Sequence, residues 1–276
     1  MTAAVENPQI ARRSHVALPD ARLRFSGILK SEWIKLVTVR STVWTLVVLL
    51  LLQVGMGVMA AATIPTPEGS LGGTIQANGF AVFVTTLGLF INQLVIAVLG
   101  VLVVSGEYST GQIRSTLTAV PARWPVLVAK ALVFGVTAFI VSLVSVVLTY
   151  AVTWPLVDSK VGASSLADSD VWWPLLGAAG YLALVGLLAF SIGAIMRHTA
   201  AGIAVAAGLL LVLPIVLSLV GTEWASVVND WLPSTAGQTL FGSGRVFEPW
   251  QALLVMLGWV AVPFATASVL LSRRDA

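Results

Sequence analysis

The chain has 276 residues, of which 58% are hydrophobic and only 10% charged, against about 25% charged in a soluble domain. Water is therefore not its main solvent, and at roughly 20 apolar residues per crossing several spans fit with little left for a soluble domain. With no cysteine, disulfides, thiolate metal sites and cysteine nucleophiles are excluded, and His15 and His198 are too few for a histidine metal cluster.

The first residues are polar and basic, with no short apolar stretch ending in a cleavage site, so the first apolar run reads as a retained anchor. Residues 1–21 read as a disordered tail and 22–42 as an amphipathic helix lying in the headgroup layer. Phe25, Leu29, Trp33, Leu36 and Val37 fall on its apolar face, and Arg24, Ser31, Lys35 and Thr38 opposite. Residues 43–276 form the membrane domain, for which the pattern predicts six helices. Span one runs from Val43 to Ile64, stopped by Pro65 and Pro67, and span two from Phe80 to Val104. Span three runs from Val126 to Trp154, stopped by Pro155, and span four from Trp173 to Met196. After Arg197-His198-Thr199, span five covers Ala200 to Val220, and span six covers Trp250 to Leu271. Continuous apolar runs without strict alternation choose helices over a barrel, so the fold class is all-α.

Orientation follows from the cations. Thirteen of the 15 lie before span one, between spans two and three, between four and five, or after six; only Lys160 and Arg245 fall opposite. That places both termini in the cytoplasm. Trp44, Trp124, Trp154, Trp172, Trp173 and Trp250 fall at span ends, as interfacial anchors do, and only Trp259 sits mid-span. No Asp, Glu, Lys or Arg lies near the centre of a span, which disfavours a proton-coupled carrier and an intramembrane hydrolase. The amides Gln53, Asn92 and Gln93 suit helix–helix hydrogen bonding or a substrate path. Pro214 and Pro263 should kink spans five and six.

Between spans two and three, Gly106 and Gly111 have the spacing of P-loop glycines, but Gln112-Ile113 replaces the required Lys-Ser/Thr and no strand precedes. The chain binds no nucleotide there, and any energy from ATP must come from another polypeptide. In the last outer loop Trp224, Val227, Val228 and Trp231 recur at helical spacing, ended by Pro233. A short helix on the outer membrane surface accounts for them.

Two stretches carry a family resemblance. One is Ser31-Glu32-Trp33-Ile34-Lys35-Leu36 with Thr38-Val39-Arg40-Ser41-Thr42. The other is Glu107-Tyr108, Gly111, Ile113-Arg114, Thr116-Leu117 and Ala119-Val120-Pro121 with Arg123. Together they resemble the ABC-2-type permeases of ATP-binding-cassette exporters, most closely those of high-GC Gram-positive bacteria, over nearly the whole chain. Gln112 departs from the threonine usual after that glycine. The resemblance implies a permease subunit in the bacterial cytoplasmic membrane, not itself an enzyme. It implies a cytoplasmic ATPase partner that holds ATP and Mg, and a second permease copy or homologue, with the lipid bilayer around them and no role for nucleic acid. Glu32, Trp33, Lys35, Glu107, Gly111, Arg114, Pro121 and Arg123 would form the surface coupled to the ATPase. Trp224, Val228 and Trp231 would close the outer mouth. The cargo would be apolar or amphipathic. The other reading of the same topology is a membrane anchor or assembly subunit that transports nothing.

Overall fold

The computed structural model describes residues 24–65, 74–111, 123–163, 165–242 and 246–273. The tail at 1–21, Arg114 and Pro121 lie outside them. The described residues form helices and no strand: α1 (Phe25–Thr38), α2 (Arg40–Thr63), α3 (Thr74–Thr86), α4 (Leu89–Ser109), α5 (Arg123–Val161), α6 (Ser169–Met196), α7 (Thr199–Ala207), α8 (Leu213–Val220), α9 (Glu223–Asp230), α10 (Pro233–Gln238) and α11 (Pro249–Arg273). Six helical stretches are long and apolar enough to cross a membrane: Arg40–Thr63, Leu89–Ser109, Trp124–Val161, Ser169–Met196, Thr199–Val220 and Pro249–Leu271. The protein is an all-α, multi-pass membrane protein.

Helix α6 is the axis of the bundle. Some 78% of its most apolar stretch is buried, against 11% for α11, so α6 packs against protein while α11 keeps most of its surface for lipid. Lipid tails give apolar helices no reason to prefer one another, so close packing must come from small residues. Gly186 and Gly193 let α4 approach α6 until a Cβ on Gly100 would sit 2.4 Å from the Gly186 carbonyl oxygen. Phe134 of α5 stacks on Phe190 of α6, ring centroids 6.0 Å apart.

Three spans differ from the sequence-based expectation. Span two is a broken helix: α3 ends at Thr86, Leu87 and Gly88 turn, and α4 begins at Leu89. A break in lipid exposes carbonyls that must find donors, and Gln53 of α2 supplies one. Its Nε2 donates to the Thr85 carbonyl (2.7 Å), while Asn92 Nδ2 donates to Gln53 Oε1 (2.7 Å) and to the Leu49 carbonyl (3.1 Å). Only glycine fits at 88, where a Cβ would lie 2.8 Å from Gln53 Oε1 and 3.1 Å from its Cα. Gln53 and Asn92 are both wholly buried. Replacing Gln53 by leucine should therefore destabilise the protein by about 1–3 kcal/mol, the cost of buried polar groups left without partners. Denaturant titration in micelles measures it, and an unchanged midpoint would remove the amide from this role.

Span three does not stop at Pro155: α5 runs through it to Val161. Proline costs the helix one hydrogen bond, and contacts beyond it hold the extra turn. Val157 is fully buried, Trp154 Nε1 donates to the Ala163 carbonyl (3.1 Å), and Lys160 Nζ donates to the Ala61 carbonyl at the end of α2 (2.6 Å). Span five contains a π-helical turn, Gly208–Val212, immediately before Pro214. A wider turn there relieves the clash between the proline ring and the carbonyl one turn earlier. Helix α11 continues through Pro263.

The connection between spans four and five is as short as expected. Arg197 adopts a left-handed conformation (φ 52°), closing α6 so that α7 starts at Thr199. Its guanidinium lies 5.2 Å from the Tyr108 ring centroid and Nη2 donates to the Leu270 carbonyl (3.3 Å). The C-terminal ends of α4, α6 and α11 thus meet on one face, the basic face. On the opposite face α10 folds inward. Trp259, ten residues into α11, donates Nε1 to the Trp231 carbonyl (2.8 Å), and Leu240 lies against Gly177 of α6. The re-entrant part is residues 232–241, which are mostly buried against protein as membrane depth requires, whereas α9 before it is mostly exposed.

Candidate functional site

The basic face carries the densest chemistry. Here α1 lies across the last turn of α4 and the first turns of α5, and four ionisable side chains meet. Glu32 Oε1 accepts from Lys35 Nζ (2.8 Å) and Glu32 Oε2 accepts from Lys130 Nζ. Glu107 Oε1 accepts from both Lys130 Nζ (2.8 Å) and Lys35 Nζ (3.0 Å). Glu32, Glu107 and Lys130 are at most 7% exposed, while the Lys35 side chain keeps 28% of its surface. The quartet is neutral as a whole, which is how charge is tolerated out of water. Burial by itself pulls the Lys35 ammonium's pKa down, but its bonds to Glu32 and Glu107 outweigh this and hold it above the usual 10.5. Lys35 stays cationic at any physiological pH.

This geometry alters the reading of α1. Ile28, Leu29, Glu32 and Leu36 turn inward, whereas Phe25, Trp33, Ile34 and Val37 are exposed. The helix is rotated from the hydrophobic stripe because two charge-assisted bonds from Glu32 outweigh the burial of one more apolar side chain. Of the residues expected at a coupling surface, the structure brings Glu32, Lys35 and Glu107 together and leaves Trp33 on the outside of α1. Gly111, just past α4, has φ +71°, a left-handed turn that glycine adopts without strain. Arg123 is the first residue of α5. The fourth member, Lys130, was not among the expected residues and entered only the count of cations. Its signal was available: a single ammonium amid Val126, Leu127, Ala129, Ala131 and Leu132 implies a partner carboxylate nearby.

A second site lies toward the opposite face. A cavity of about 500 Å³ opens between α3, the start of α4, the first turns of α6 and the re-entrant segment. Phe83, Leu87, Phe90, Val171 and Pro174 give it apolar walls. Gln93 is the one expected amide that lines it; Tyr181 Oη donates to Gln93 Oε1 (2.5 Å) and Gln93 Nε2 donates to the Phe90 carbonyl (3.2 Å). Asn78 donates to Asp170 at its polar end. Outside the cavity's lining, Trp231 packs edge-on to Phe247 (5.1 Å), and Trp224 and Val228 are exposed on α9. Among the described residues no group of three or more His, Cys, Asp or Glu side chains could hold a metal.

No model of a known protein family matches this chain, and no curated protein does.

Proposed function

We propose that this chain is the permease subunit of an ATP-driven exporter of the ABC-2 type, set in the bacterial cytoplasmic membrane with both termini in the cytoplasm. The observation that carries the reading is the buried quartet. It fastens α1 to the ends of two spans at one face, so force applied to α1 reaches α4 and α5 without first stretching a flexible joint. An ATPase on that face, holding ATP and Mg, would contact Trp33, Ile34 and Val37 on the outside of α1 together with the segment containing Arg114, Pro121 and Arg123. Two such subunits would enclose the pathway. The Gln93–Tyr181 cavity would receive an apolar or amphipathic cargo, and Trp224, Val228 and Trp231 would cover its outer mouth.

The lack of native cysteine makes the test direct. In Ser115→Cys, a membrane-impermeant maleimide should label inside-out vesicles and not intact cells; in Ser226→Cys the pattern should reverse. Labelling of Ser115→Cys from outside would end the proposal, because no cytosolic motor could then reach the segment. In the same cells Ile34→Asp, which leaves the quartet intact, should cut co-purification of a co-expressed partner ATPase roughly tenfold, the equivalent of about 1.4 kcal/mol. ATPase binding without ATP-dependent flux would instead support an anchor subunit.

A further inference from the structure

The quartet leaves one acceptor bare. Both lysines donate to Glu107 Oε1, and the buried Glu107 Oε2 has no hydrogen-bond partner among the described residues. A carboxylate oxygen without a donor is costly out of water, and Glu107 forms part of the wall of a second cavity, of about 380 Å³, between α1, α2, α4 and α5. The other quartet members line it too, the hydroxyls of Thr38, Ser41, Thr42, Thr45 and Thr110 add polar groups, and Leu36, Leu99, Leu102, Val103 and Val133 give it an aliphatic side.

We infer that this cavity binds an amphipathic primary amine, with its ammonium on Glu107 Oε2 and its hydrocarbon along Leu99, Leu102 and Val133. The terminal torsion of a glutamate is soft, so a small turn of the carboxylate presents Oε2 to the ligand while the lysines stay within reach. A primary ammonium brings three donors, whereas a quaternary one brings none. Charge narrows the class further. Among the described residues Glu32 and Glu107 already balance Lys35 and Lys130, so a simple cation leaves the site with an excess positive charge. A zwitterion does not: its phosphate meets Lys35, the partly exposed member that also lines the cavity. Glu107 lies two residues from the end of α4 and Lys130 seven from the start of α5, the depth at which spans enter the headgroup layer. A phospholipid with an aminoethyl headgroup satisfies all of these demands. A dissolved alkylamine shares the ammonium chemistry. The inference rests on the membrane placement and the quartet, not on the docking of an ATPase, so either can fail alone.

The test uses the purified full chain in nanodiscs, read by native mass spectrometry. With phosphatidylethanolamine and phosphatidylcholine of identical acyl chains in equal amounts, ethanolamine lipid should remain bound about tenfold or more over choline lipid, the discrimination one charge-assisted hydrogen bond implies. Glu107→Gln should abolish the preference. Leu102→Trp, which fills the cavity and leaves the quartet untouched, should do the same, so a folding defect in the first variant leaves the question decidable. A parallel arm offers dodecylamine to the protein in choline-lipid discs. Glu107-dependent retention of either probe supports the site, and the probe retained identifies the source. Equal retention of the two lipids with no dodecylamine bound, or retention that both variants leave unchanged, overturns it.

Discussion

Replacing Lys130 by methionine destabilises the protein by about 3–5 kcal/mol, the cost of leaving buried charge uncompensated. Both carboxylates of the quartet bond to Lys130, and both are almost fully buried, so water replaces the lost partner poorly. Lys35→Met also removes a bond to each carboxylate but costs less, because that side chain is the partly exposed one and water replaces it in part. Order therefore matters more than either magnitude: the Lys130 variant unfolds first in a denaturant series, and the Lys35 variant lies between it and the parent chain. Adding Glu32→Gln and Glu107→Gln to the Lys130 variant should restore much of the loss, since a neutral cluster demands less than an unpaired charge. Equal effects of the two single lysine changes would mean that the quartet is open to water.

A valine at Gly100 should lower stability by about 1–3 kcal/mol or more, the range for overpacked cores. The obstacle is backbone: the added Cβ meets the Gly186 oxygen at 2.4 Å and the Phe190 nitrogen at 3.0 Å, and neither atom can swing aside as a side-chain end would. Only a separation of α4 from α6 relieves it, and that disturbs the pair on which the bundle is built. Gly106, six residues along the same helix, is the control. Among the described residues nothing lies within 4 Å of a Cβ there, so Gly106→Ala should be neutral or stabilising by about 0.5–1 kcal/mol through helix propensity alone. Thermal unfolding of the two variants side by side distinguishes tight helix contact from a general intolerance of α4 to change.

The membrane architecture was legible because hydrocarbon thickness imposes a length on every apolar run. The six runs correspond to six spanning stretches, and Arg197-His198-Thr199 was correctly a turn too short for a loop. What hydropathy does not register is a change of helix direction among apolar residues. Phe83, Leu87 and Leu89 look alike on either side of the break at Gly88, and the amide that makes the break tolerable, Gln53, is 32 residues away from the carbonyl it satisfies. The rotation of α1 was hidden for the same reason: the inward turn of Glu32 depends on Lys130, 98 residues distant. Three members of the quartet were reached through resemblance to a family, whereas Lys130, four residues inside the expected span three, was counted only among the cations that set the orientation. Pro155 misled because proline's local penalty was weighed without the clasp that Lys160 forms beyond it.

Helix α5 has 39 residues, about 58 Å at 1.5 Å per residue, nearly twice the roughly 30 Å of a hydrocarbon core. Its two clasps, Lys130 in the quartet and Lys160 on the Ala61 carbonyl, are 30 positions apart, or about 45 Å, so each ammonium has an aqueous or headgroup neighbourhood within reach. A rigid strut tethered near both tips cannot lengthen. A disturbance at one tip should therefore reach the other as a change of slope against the lipid.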